Sequence, residues 1–201
     1  MARIAILLAD GFETIEALAP ADVCRRGGQD VALVTVNAEP HVTSAQNVGI
    51  DCDATLDTYD FATCDLIVLP GGLPGTTTLR ATDRVCELAR DFMENRKVGS
   101  ICAAPSILAE LDLLEGRTAT CYPGFEGDFP AGVRPEKNGV YRDGNLVTAS
   151  GPGFAVEFGL ALLELLTDKG IGTMITRPSL PDSFNVTPLG NFAAKLIESR
   201  E

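Results

Sequence analysis

Short runs of leucine and β-branched residues alternate along this chain with longer amphipathic stretches, and that alternation narrows the fold more than any other feature. RIAILLA (3–9), DVALVTV (30–36), DLIVLPGG (65–72) and VGSI (98–101) read as buried strands. ETIEALAPADVCRRGG (13–28) reads as a helix disturbed near Pro20 and ended by its glycine pair. TDRVCELARDFMENRK (82–97) reads as a second helix, with Thr82 as its cap. RTATCYP (117–123) is a further strand, and KNGVYRDGNLVTAS (137–150) is a hairpin turning at Asp143 and Gly144. AVEFGLALLELLTDKG (155–170) is an apolar helix, and LGNFAAKLIESR closes the chain as a short amphipathic one. Strands and helices in this order argue for an α/β fold, a mostly parallel sheet between helical layers. No repeat or long linker divides the 201 residues, so one domain over 1–201 is expected, with a C-terminal extension from about 175.

Charge excludes several partners. The formal net charge is -12 and the pI near 4.5, and no basic cluster interrupts the acidity. Phosphate backbones and anionic membranes repel such a surface, so neither nucleic acid nor membrane is expected as a partner. No apolar run is long enough to span a bilayer, and the start of the chain reads as a strand rather than a leader, which places the protein in the cytoplasm. Cysteines stand at 24, 52, 64, 86, 102 and 121 without a C-x-x-C pair, and His41 is the sole histidine. A zinc site is therefore disfavoured, and no metal or other cofactor is expected.

Most motifs fail. PGGLPG (70–75) and SGPGF (150–154) do not fit a dinucleotide or phosphate loop, and G-x-S-x-G is absent. His41, in AEPHVTS, reads as an exposed loop residue. SICAAP is different. A strand running directly into a helix forces its junction residue, Cys102, into a sparsely allowed conformation above the sheet edge. Ala103 and Ala104 allow close packing there, and Pro105 suits a first helical turn. A helix dipole at that point favours thiolate and can bring a cysteine from about 8.5 to roughly 3.5–7.5. Spacing alone leaves two readings of Cys102 open: a buried packing thiol, or a presented sulfur. The other five cysteines read as packing, with Cys121 beside Tyr122 the nearest to an exception. The backbone at Gly71 and Gly72, and that following Cys102, can face a developing oxyanion. Glu13 and Glu16 open the first helix at the same edge. Each either complements the helix dipole or supplies a buried carboxyl able to pass a proton.

Taken together, DGFETIEALAPADVCRRGG, DLIVLPGGLPG, SICAAP and SGPGFAVEFGLALLE resemble the ThiJ/PfpI family, and within it the DJ-one-like branch, from about residue 2 to about 170. The resemblance implies a flavodoxin-like three-layer sandwich, a homodimer, Cys102 as the elbow nucleophile and Glu16 as the carboxyl hydrogen-bonded to it. Gly72 and Ala103 then supply oxyanion backbone. It implies cofactor-independent conversion of small 2-oxoaldehydes (methylglyoxal to lactate, glyoxalase III-like) or a deglycase-like hydrolysis. Tyr122 stands where many members carry histidine. A phenol is a poor base at neutral pH, so Tyr122 is at most auxiliary and Glu16 is the leading proton carrier. Ala103 replaces the histidine of the protease-like branch, which disfavours a peptidase. The alternative of another class is a redox-responsive cysteine sensor or chaperone-like stress-protective protein. Thiazole-phosphate or amidotransferase-type chemistry lacks a Cys-His-Glu set.

Overall fold

The computed structural model describes residues 1–131, 133–135 and 138–167. The proposed extension from about 175 and its closing helix lie outside them. Chain order gives β1 (Arg3–Leu8), α1 (Thr14–Arg26), β2 (Asp30–Thr35), β3 (His41–Thr43), β4 (Gly49–Asp51), β5 (Ala54–Thr55) and β6 (Leu66–Leu69). There follow α2 (Gly75–Ala81), α3 (Asp83–Asn95), β7 (Lys97–Ile101), α4 (Pro105–Glu110), β8 (Thr118–Ala119) and β9 (Arg134–Pro135). β10 (Val140–Asp143), β11 (Leu146–Ala149) and α5 (Ala155–Thr167) complete it.

Among the described residues seven strands form one sheet in the order β10-β11-β7-β6-β1-β2-β5. Every pair is parallel except β10 with β11. Strand alternation sorts the side chains into two apolar layers. Ala5, Leu7, Ile67 and Leu69 face Leu88, Phe92, Ile107 and Leu108 of α3 and α4, while Ile4, Ile6, Leu8 and Val68 face α1 and α5. A fully buried side chain of this kind contributes about 1.5–3 kcal/mol by leaving water, and β1 from Ile4 to Leu8 is buried throughout. Helices on both faces of a largely parallel sheet make a flavodoxin-like three-layer sandwich.

The apolar residues Val85, Leu88, Ala89, Phe92 and Met93 give α3 one buried stripe. Thr82 sits at its N-cap position but makes no cap bond; its hydroxyl donates instead to the Thr78 carbonyl at 2.8 Å. Pro20 lies inside α1, which continues past it to Arg26. It is buried at the crossing with α5, where a Cβ on Gly159 would stand 3.0 Å from Pro20 Cα. The close crossing holds the helix through the lost backbone bond.

Two other expectations need correction. The strand expected over 117–123 shrinks to Thr118–Ala119 and pairs with β9 outside the main sheet. His41 lies in the small β3–β4 hairpin rather than a loop, and its Nδ1 meets Asp51 Oδ1 at 2.8 Å on the surface.

The chain leaves β1 toward β2 on one side and later returns to place β6 on the other. The carboxyl ends of β1 and β6 therefore flank a topological switch point, the place where open α/β sheets form their crevice.

Candidate active site

Three loops meet at that crevice: Ala9–Glu13 after β1, Pro70–Pro74 after β6, and Cys102–Ala104 after β7. Cys102 has φ +64°, in the left-handed region that costs an L-residue roughly 1–2 kcal/mol. The sheet enforces it. The Cys102 N–H donates to the Ala149 carbonyl at 2.9 Å, continuing the β7–β11 ladder, and the Cys102 carbonyl accepts from the Tyr122 N–H at 2.8 Å. With both peptide neighbours fixed, the side chain is turned out of the strand and sits half-buried.

Glu16 comes from the first turn of α1 and has no solvent exposure. The Gly71 N–H donates to Glu16 Oε2 at 2.9 Å, and the carboxyl is in hydrogen-bonding contact with the Cys102 thiol. Oε1 is buried without a partner of regular geometry. With Oε2 already accepting from Gly71, a proton on the neutral acid belongs on Oε1. Burial pushes the Glu16 carboxyl up to about 7, more than the Cys102 and Gly71 contacts lower it, and the nearby Glu13 charge adds to the rise.

The thiol is not acidified as the sequence suggested. α4 starts only at Pro105, and burial together with the Glu16 charge pushes the Cys102 thiol well above its ordinary range. The Ala103 and Gly72 N–H groups that face the sulfur pull the other way and lose. Thiol and carboxyl therefore form a coupled pair that carries one proton above neutrality and two below it. Burial likewise pushes Cys24 and Cys121 up to about 12 and Cys52 up to about 11. Carboxylates also raise Cys52 and Cys121, through charge alone; what separates Cys102 from them is its hydrogen-bonding contact with the buried Glu16 carboxyl.

Gly71 is the wedge between the pair. A Cβ there would lie 2.6 Å from Cys102 Cβ, 2.7 Å from Glu16 Oε2 and 3.0 Å from Cys102 Sγ. Gly71→Ala is expected to force thiol and carboxyl apart, costing about 1–3 kcal/mol of stability. Thermal melts should register the change. Gly72 has φ +93°, and its Cβ would stand 2.3 Å from the Glu13 N, so the backbone passes too close for any side chain. Of the two glycines whose N–H groups the sequence offered to an oxyanion, Gly71 is committed to Glu16 and Gly72 faces the sulfur.

Tyr122 borders the crevice, half exposed, with its ring along Gly151 and edge-on to Phe125 at 6.5 Å. Its N–H donates to the Cys102 carbonyl, which ties the segment to the elbow. Among the described residues no group of three or more His, Cys, Asp or Glu side chains could hold a metal ion, and no helix is long and apolar enough to cross a membrane.

A flavodoxin-like sandwich that turns a strained cysteine toward a buried carboxyl at the carboxyl edge of its sheet defines the class of α/β protein to which this chain belongs. The chain belongs to the DJ-1/PfpI family, whose pattern matches residues 2–165. Protein DJ-1 homolog B of Arabidopsis thaliana is 34% identical over 194 residues, covering 93% of this chain and 44% of that protein. The chain spans about half the length of the two Arabidopsis relatives it matches. The Parkinson disease protein 7 homolog of Danio rerio is 33% identical over 181 residues, 88% of this chain and 95% of that one. The solved structure of oxidized Toxoplasma gondii DJ-1 superposes with a TM-score of 0.79 at 27% identity, covering 98% of each chain.

Proposed function

We propose that this chain converts small 2-oxoaldehydes such as methylglyoxal into 2-hydroxy acids, with Cys102 as nucleophile and Glu16 as proton carrier. The observation that carries the reading is the contact of a buried carboxyl, ionising near 7, with the sulfur of a strained cysteine. Because no neighbour keeps the thiol ionised, the sulfur is activated during attack. Ionised Glu16 takes the thiol proton as sulfur bonds to the aldehyde carbon. The aldehyde oxygen becomes anionic facing the Gly72 and Ala103 N–H groups, then takes the proton back from Glu16 to give a hemithioacetal. Glu16 next removes the hydrogen on the former aldehyde carbon, giving an enediol, and returns that proton to the adjacent ketone carbon, while the hemithioacetal hydroxyl proton passes to the neighbouring ketone oxygen. One carbon is oxidised and its neighbour reduced, so the product is a 2-hydroxy thioester and no external electron acceptor is consumed. Water opens the thioester and frees the Cys102 thiol. A deglycase-like hydrolysis would use the same nucleophile and the same two N–H donors.

The test is product stoichiometry. After exhaustive gel filtration with chelator, the protein is expected to form one lactate per methylglyoxal consumed, without added nucleotide or metal. Methylglyoxal left intact, or lost without lactate, overturns the reading.

A redox sensor is the second reading, favoured by the Gly72 and Ala103 N–H groups and the Glu16 carboxyl that surround the sulfur and would hold an oxidised form. Peroxide reacts with thiolate, however, and burial together with the Glu16 charge disfavours the Cys102 thiolate. Aldehyde addition can draw the proton off as it proceeds, which is why it takes precedence. Mild peroxide followed by peptide mass analysis separates the two: selective gain of two oxygens at Cys102 with no aldehyde turnover supports the sensor.

The proposed assembly is a cytoplasmic homodimer. Ile15, Val48 and Leu73 are exposed by 49%, 41% and 57% on segments that touch one another beside the site. Thr14 Oγ1 reaches Ser44 Oγ at 2.7 Å, and the Glu13 N–H reaches the Gly71 carbonyl at 2.9 Å. Light scattering is expected to return twice the 21.2 kDa chain mass, and Ile15→Glu, which puts a charge in the patch, to return the monomer.

A further inference from the structure

Arg80, the penultimate residue of α2, reaches three segments that carry the site. Its Nη2 donates to the hydroxyl of Ser106 on α4, a side chain with no solvent exposure. Its Nε stands 3.2 Å from Glu110 Oε2, one turn further along α4, as an ion pair without a well-aligned hydrogen bond. Its Nη2 is also 3.8 Å from Asp128 Oδ2, in the single 3-10 turn Glu126–Asp128 that follows Tyr122. α2 itself continues directly from the loop bearing Gly71 and Gly72. One guanidinium thus ties the glycine loop, the elbow helix and the Tyr122 segment together.

The link to the reacting atoms runs through Ser106. Its hydroxyl accepts from Arg80 and spends its own hydrogen on the Ala103 carbonyl, at 2.7 Å. Ala103 is the residue whose N–H faces the Cys102 sulfur. The same carbonyl also accepts from the Ser106 N–H at 3.1 Å, so the start of α4 grips Ala103 twice, and the hydroxyl bond is the one that Arg80 reaches. We propose that Arg80 is a positioning residue for the Cys102 site, fixing the direction of the Ala103 N–H through the buried Ser106 hydroxyl. Its ion pairs are partly exposed, and such pairs contribute little to stability. Its value is geometric: a planar fork reaching several acceptors at once, which a lysine ammonium does not reproduce.

The inference rests on Cys102 being the reactive sulfur and not on the identity of the aldehyde, so its main readout is the thiol itself. Folded wild type, Arg80→Met, Arg80→Lys and Ser106→Ala are alkylated with iodoacetamide across pH 6–9, and Cys102 and Cys52 are followed separately by peptide mass. Arg80→Met and Ser106→Ala are expected to slow Cys102 alkylation about tenfold and leave Cys52 unchanged. The Arg80→Met/Ser106→Ala double variant should be no slower than either single one, because both cut the same relay. Arg80→Lys should recover only part of the rate. Where methylglyoxal turnover is present, kcat should fall with KM nearly constant. An unchanged Cys102 rate in Arg80→Met, or equal changes at Cys102 and Cys52, overturns the proposal. Selective slowing of Cys102 in a protein without aldehyde turnover keeps it and removes the aldehyde reading instead.

Discussion

Cys102→Ser is expected to abolish lactate formation from methylglyoxal, by at least about a thousandfold, while the protein stays folded. A serine hydroxyl is far less nucleophilic than a thiol at neutral pH, and removal of a covalent nucleophile leaves only what binding and oxyanion donors supply. The backbone at 102 has no reason to change. Its φ of +64° is imposed by the Ala149 and Tyr122 bonds, which are main-chain contacts that serine keeps. A thermal melt close to wild type is therefore part of the expected result and separates lost chemistry from lost structure. Cys121→Ser serves as the control. That thiol is buried, lacks a carboxyl contact, and should leave lactate formation intact. Wild-type turnover in Cys102→Ser would overturn the assignment of the nucleophile outright.

The parts of this site that sequence could show are those encoded locally. β1 and β6 are legible because strands buried on both faces are continuously apolar, as 4–8 and 66–69 are; β7 is legible from Val98 and Ile101, although it also buries Ser100. The turn at Cys102 is legible because Ala103, Ala104 and Pro105 form a small-residue helix start with a proline where no N–H is needed. What was not legible depends on distant parts of the chain. The β3–β4 hairpin is short and mostly exposed, so it leaves no apolar pattern. RTATCYP reads as one long strand, whereas within it the Thr120 N–H donates to the hydroxyl of Thr148, 28 positions away. Gly71 reads as a turn glycine, and only the folded contact with residues 16 and 102 shows it as a wedge. Arg80 gives no signal at all, since its partners lie 26 to 48 positions away. The thiol's protonation was misjudged for the same reason. A helix dipole is a local inference, whereas burial and the Glu16 charge arise from the assembled crevice.

Glu16→Gln should move activity and stability in opposite directions, a pattern that mere damage to the fold does not give. Glutamine keeps an acceptor for the Gly71 N–H but can neither take nor return a proton. Loss of such a general acid–base typically costs about 10²–10⁴ in rate. In the wild type, the ionised carboxylate is the form that accepts the thiol proton, so kcat/KM should rise with pH through an apparent value near 7, the coupled titration of the pair. Stability runs the other way. The folded carboxyl ionises near 7 against a model value of 4.5, so the folded state holds the proton more tightly than the unfolded chain. The resulting stabilisation is fully present below about 4.5 and is lost as pH rises through about 7. Between those limits the loss reaches up to roughly 3 kcal/mol, since each pKa unit corresponds to about 1.4 kcal/mol. A neutral amide escapes it. Denaturant melts at pH 8 should therefore find Glu16→Gln more stable than wild type, with the gap closing by pH 4.5, while the same variant fails to form lactate. That trade is what a carboxyl retained for proton transfer, at the expense of the fold, must show. Equal destabilisation at both pH values, or full activity in the amide, would leave Glu16 as an ordinary buried side chain.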